Sequence, residues 1–169
     1  MADGVARSWP FPLILTTTTA DAMGLYFEEF EVGRTYVTGT RTLTEEDIDA
    51  FAMLSGDQNR LHTDDVFART MGFAGRIAHG LLGAAILTGL SYRTGLFDGT
   101  TLAFLSINWQ FRAPVFAGDT LYAEMLVESK RETSNPDRGI VVRHVRLLNQ
   151  SGTVTQEGTI SVMVKRRPA

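Results

Sequence analysis

The 169-residue chain has the length of one ordinary domain, and an apolar fraction of 44% is enough to build a sizeable core. A net charge of −3 with scattered Lys and Arg argues against nucleic-acid binding, which needs a concentrated basic surface. The lack of cysteine excludes disulfides, thiolate nucleophiles and Cys-based zinc sites, and it fits a reducing cytoplasm.

In chain order, residues 1–24 read as an N-terminal extension, either ordered against a partner subunit or floppy. Its short run Trp9-Pro10-Phe11-Pro12-Leu13-Ile14-Leu15 loosely mimics a signal peptide, but two prolines break it, so secretion is not expected. No apolar run reaches the roughly 20 residues of a bilayer span, and no membrane role is expected. The compact pattern starts near Leu25, and residues 25–169 form one domain without internal repeats or linkers.

Thr35 to Leu43 reads as a first strand. Thr44 then caps a helix with acidic residues Glu45, Glu46 and Asp47 at its positive end, and Ile48, Phe51, Ala52 and Leu54 form its buried side. Ser55-Gly56 breaks this helix. Asp57 to His62 follows as an irregular loop, and Thr63-Asp64-Asp65 caps a second short helix carrying Val66 and Phe67. A glycine-rich loop, Gly72 to Ala78, leads to His79-Gly80. The run from Leu81 to Leu90 is apolar nearly all round, which predicts a helix buried on most sides.

From Thr101 the periodicity changes to that of strands. Leu121, Ala123, Met125 and Val127 alternate with Tyr122, Glu124 and Glu128. Asn135-Pro136-Asp137-Arg138-Gly139 and Asn149-Gln150-Ser151-Gly152 are turns between successive strands. Val154, Gly158, Ile160, Val162 and Val164 share one side of the last strand. Lys165-Arg166-Arg167, the only dense basic cluster, reads as a solvated tail. The order of elements predicts an α+β fold with a curved antiparallel sheet packed on one helix.

Chemistry-bearing residues concentrate between positions 57 and 80. Asp57 and His62, five apart and framed by helices, can converge on a shared water, one taking a proton as the other gives one. Gly80 opens the buried helix and offers a backbone N–H at its positive end, where a carbonyl oxygen gaining negative charge is stabilised. On spacing alone, a simple cap and a satisfied histidine explain Asp57 and His62 better, because short motifs recur by chance. His79 reads as a structural residue that fixes the loop, and His144 carries no role. His62, Asp64, Asp65 and His79 are metal-ligand types without a metal-ligand spacing, so no metal is expected.

The string from Ser55 to Asp64, followed by Phe67-Ala68 and by Gly72 to Leu81, resembles the MaoC-like dehydratases, also called (R)-specific enoyl-CoA hydratases. Tyr26 to Gly33 and Phe111 to Leu121 are similar to further segments of that family, in matching order over roughly Leu25 to Val164. The resemblance implies a hotdog fold, in which an antiparallel sheet wraps a long helix, here Gly80 to about Thr94. It implies a homodimer or higher homo-oligomer with an acyl-thioester tunnel near the interface. Position by position it implies Asp57 and His62 as the catalytic pair, Gly80 as the oxyanion N–H, and Asn59 as a residue holding the loop or the catalytic water.

The implied reaction is reversible syn hydration of a trans-2-enoyl thioester, on CoA or an acyl carrier, by a hydro-lyase without a cofactor. Thioester hydrolysis and a non-catalytic acyl-CoA-binding subunit are the alternatives. Arg60 departs from the family, where proline is common. It is expected to loosen the loop and to place a positive charge beside the site.

Overall fold

The computed structural model describes residues 13–15 and 24–168; the rest of the expected extension over 1–24 lies outside the described residues. Seven strands form one sheet: β1 (Leu13–Leu15), β2 (Thr35–Val37), β3 (Arg41–Thr42), β4 (Thr101–Phe111), β5 (Thr120–Glu132), β6 (Arg138–Leu148) and β7 (Val154–Lys165). The order is β1-β2-β5-β6-β7-β4, with β3 also paired to β5. All pairs are antiparallel except β1 with β2. Part of the expected extension is therefore an edge strand of the sheet.

The expected first strand divides into β2 and β3. Between them the Thr38 hydroxyl bonds to the Gly39 carbonyl and accepts the Ala123 N–H, so a side chain replaces one rung of the ladder. Helix α1 spans Glu45–Ser55 and starts as expected, with Thr44 accepting from the Asp47 N–H and Asp47 returning a bond to the Thr44 N–H. It ends at Gly56, whose φ of 75° is the left-handed conformation glycine adopts freely. Ile48 and Ala52 are buried, but Leu54 is 85% exposed and does not belong to the buried side. Helices α2 (Arg60–Thr63), α3 (Asp65–Thr70) and α4 (Gly80–Tyr92) follow.

Leu82, Ile86, Leu87 and Leu90 of α4 enter one core with Leu121, Ala123, Met125 and Val127 of β5, Val141, Val145 and Leu147 of β6, and Ile160, Val162 and Val164 of β7. The expected alternation in β5 and β7 is what builds this face. Helix α4 is buried on most sides, as expected, with one exposed stripe formed by Leu81, Ala85, Thr88 and Tyr92. The basic tail is not merely solvated: Arg166 pairs with Glu28 and Glu132, and Arg167 with Glu29, tying the C-terminus to the 3-10 turn Phe27–Glu29.

Candidate active site

Asp57, His62 and His79 come together, each with one side-chain oxygen or nitrogen within 4.8 Å of the others. Local capping produces this arrangement. Asn59 caps α2, its side chain accepting from the Leu61 N–H at 3.0 Å while its own N–H donates to the Asp57 carboxylate at 3.2 Å. His62 therefore stands on a short helix, not in the irregular loop expected for residues 57–62. Asn59 thus fixes the turn from Asp57 into α2, and its side-chain oxygen is engaged by the cap.

The two histidine rings stack with centroids 3.8 Å apart at 28°. His62 Nδ1 lies 2.8 Å from the Ile77 carbonyl, so it carries the proton and donates, leaving Nε2 with its lone pair. His79 Nε2 likewise donates to the Asp57 backbone carbonyl at 2.9 Å. His79 is 3% exposed and packs on Phe51, which ties the loop at Asp57 to α1. This is the structural role expected of His79. Asp64 and Asp65 are not part of the cluster. Asp64 caps α3 at the Phe67 N–H, and Asp65 accepts from the Arg76 N–H.

Gly80 opens α4, and among the described residues no acceptor takes its N–H. A cavity of about 460 Å³ is lined by His62, Ile77, Gly80, Phe111, Val115 and Gln156, with Phe73 and Leu81 beside them. Asp57 does not line this cavity within the single chain.

Gln156, which the sequence reading passed over, is 3% exposed and holds the start of α4. Its amide donates to the Gly80 carbonyl at 3.0 Å and accepts from the Trp109 indole N–H at 2.9 Å. A β-carbon at Gly83 would lie 2.2 Å from the Gln156 amide nitrogen, so this side chain fills the space beside Gly83. A lone glutamine in an alternating strand carries no signal that could have singled it out.

Arg60 occupies the first helical position of α2, a position proline suits. Its charge does not face the catalytic pair: it bonds to Asp64 at 2.7 Å and lies over the Phe67 ring at 4.3 Å. The Phe67 N–H and then Arg60 hold the Asp64 carboxyl below the ordinary range. Arg76 fastens the following loop to α1, bonding Asp49 at 2.6 Å and Glu45 at 3.3 Å. His144 stands apart, 3.6 Å from Glu157 on the neighbouring strand.

Comparison with known proteins places this geometry. An (R)-specific enoyl-CoA hydratase of Aeromonas caviae is 36% identical over 112 residues, covering 66% of this chain and 79% of that one. The structure of a MaoC-like dehydratase from Rhodospirillum rubrum superimposes with a TM-score of 0.76 and 31% identity, covering 86% of this chain and all of that one. A Mycobacterium tuberculosis protein described as a double hotdog fold matches with a TM-score of 0.76 at 22% identity, covering 86% of this chain and 45% of that one, which identifies the fold alone as hotdog. The model of the MaoC like domain matches residues 28–146, and the chain belongs to this MaoC-like family.

Proposed function

We propose that the protein is a hydro-lyase that adds water reversibly across the double bond of a trans-2-enoyl thioester, giving the (R)-3-hydroxyacyl thioester. The observation that carries this reading is the fixed His62 tautomer: its ring lines the cavity together with Gly80, whose N–H has no acceptor among the described residues, and the Asp57 carboxylate lies within 4.8 Å of a ring nitrogen. The Gly80 N–H polarises the thioester carbonyl and stabilises the enolate-like charge that develops on its oxygen. Water held between Asp57 and His62 forms the C–O bond at C3, its proton passes to the pair, and the pair delivers a proton to C2 on the same face. The carrier is CoA or an acyl carrier protein, and we place the reaction in the cytoplasm, in keeping with the cysteine-free sequence.

The working unit we infer is a homodimer closed along β4. Among the described residues this terminal strand has no partner on its outer edge, and it exposes Leu102, Phe104, Leu105 and Ile107 by 42–51%, next to the exposed stripe of α4. Long apolar edges of this kind are covered in stable proteins, and an antiparallel second copy would cover it by self-complementary pairing.

The test is hydration of crotonyl-CoA and longer enoyl-CoA substrates, followed by loss of enoyl-thioester absorbance and by chiral analysis of the product. Asp57→Asn and His62→Ala are each expected to lower kcat by about 10²–10⁴-fold with the fold intact. Normal hydration by both variants would sink the assignment, and thiol release in place of hydration would make the protein a thioesterase.

A further inference from the structure

Arg143, on β6, is 5% exposed and has no carboxylate partner among the described residues. Its guanidinium donates to the Ser91 hydroxyl at 3.2 Å and touches the Met125 sulfur at 3.4 Å, and it lies 4.3 Å from the centre of the Phe97 ring. The Nε–H is buried with no acceptor. Burial lowers its pKa to about 10, which still leaves it charged at neutral pH. The last turn of α4, which carries Ser91, contributes only a weakly negative dipole end. A buried cation with so little compensation is rare unless something else neutralises it.

The guanidinium lines a cavity of about 230 Å³, separate from the one at His62. Leu87, Phe104, Val145, Ile160 and Val162 make its walls apolar, and no lining residue is acidic. The volume falls below the roughly 300–1,000 Å³ of drug-sized sites, so it suits a short apolar segment. Both cavities open on one side of the fold. Leu81, Thr88 and Tyr92 lie on a single stripe of α4, and Gln156, Ile160 and Val162 on a single face of β7.

We propose that the cavity at the C-terminal end of α4 binds the carboxylate of a small apolar acid, with Arg143 as the counter-ion. Apolar walls with one convergent charge are the composition of a site for such a molecule, and the guanidinium fork fits a carboxylate better than any neutral group. The carboxylate arrives as the far end of the acyl chain or on a free acid. In the first case the chain spans from Gly80 to Ser91, about 16 Å along α4, and this source rests on the hydratase reading. The second source does not.

Calorimetric titration of the full-length protein with octanoate and with octanamide tests the site without any turnover. Wild type is expected to prefer octanoate by about tenfold or more. Arg143→Met is expected to lose that preference, and Arg143→Lys to keep part of it. Kinetics then separate the sources. If the carboxylate is carried by the substrate, Arg143→Met raises KM for an ω-carboxylated dodecenoyl-CoA about tenfold and does not raise it for plain dodecenoyl-CoA. If it is a free acid, both thioesters behave alike in the two proteins while octanoate binding still falls.

Equal binding of octanoate and octanamide by wild type, with no effect of Arg143→Met on either thioester, overturns the proposal. Should wild type hydrate no enoyl-CoA, the hydratase reading fails and the octanoate arm still decides this one. Should Arg143→Met not fold, the wild-type preference and the Lys variant decide it.

Discussion

Replacing Gly80 with alanine would put a β-carbon 2.6 Å from Cε1 of Phe111, 2.9 Å from Cδ1 and 3.0 Å from Cζ. Ordinary contact begins at 3.4 Å, so either the ring or the start of α4 must move by the better part of an ångström. Phe111 is 56% exposed and is the more mobile of the two, while Gln156 restrains the Gly80 carbonyl. Overpacking costs about 1–3 kcal/mol, and the helix preference for Ala over Gly returns up to about 1 kcal/mol. The net destabilisation is roughly 0–3 kcal/mol, a fall in Tm of at most about 12 °C for a domain of this size.

Activity should respond much more strongly. Displacing one oxyanion donor lowers kcat by about 10²–10³-fold. Thermal unfolding by circular dichroism and steady-state hydration of enoyl-CoA would read the two effects side by side. Adding Phe111→Leu makes room for the new methyl, so the double-mutant cycle should show a favourable coupling in stability. A folded Gly80→Ala variant that keeps kcat within about twofold would refute the requirement for a bare Cα facing Phe111.

Arg60→Pro should leave activity intact and change Tm by no more than a few degrees. The ring fits the first position of α2, and Asn59 already has the ψ of 133° that a residue before proline prefers. The gain of about 0.4–1 kcal/mol from a stiffer unfolded chain is set against an exposed Arg60–Asp64 pair worth about 0–1 kcal/mol, and a large drop in a thermal melt would contradict this. Asp64 titrates below its ordinary value when folded. Its contribution to stability is therefore present above the unfolded pKa and is lost as pH falls through the folded one. Urea denaturation across acid pH should accordingly show a shallower loss for Asp64→Asn than for wild type. Ile107→Lys on the β4 edge should yield monomers by light scattering, since charged edge residues oppose strand pairing; an unchanged dimer would place the interface elsewhere.

Much of the local structure was legible from the residues themselves. The Thr44 cap, the break at Gly56, the helix opened by Gly80 and the alternation in β5 depend on neighbours within a few positions, and all recur in the structure. The family motifs located Asp57, His62 and Gly80 because they occur in order along the chain. The motif could not show that His62 sits on a helical turn capped by Asn59, or that Arg60 turns to Asp64 and Phe67.

The remainder depends on contacts distant in sequence. Gln156 meets Gly80 across 76 positions, and Arg143 meets Ser91 across 52, so neither leaves a periodic trace in its own strand. The exposed stripe of α4 is not marked in the sequence, because apolar residues signal that a face needs cover without signalling whether this chain supplies it. Sequence by itself determined which elements form and which residue types can carry acid–base chemistry, since both follow from short-range backbone preference and side-chain identity. Tertiary structure alone decided which nitrogen of His62 is free, which side chain braces Gly80 and where a buried cation lacks a partner, because each is set by chain segments that only folding brings together.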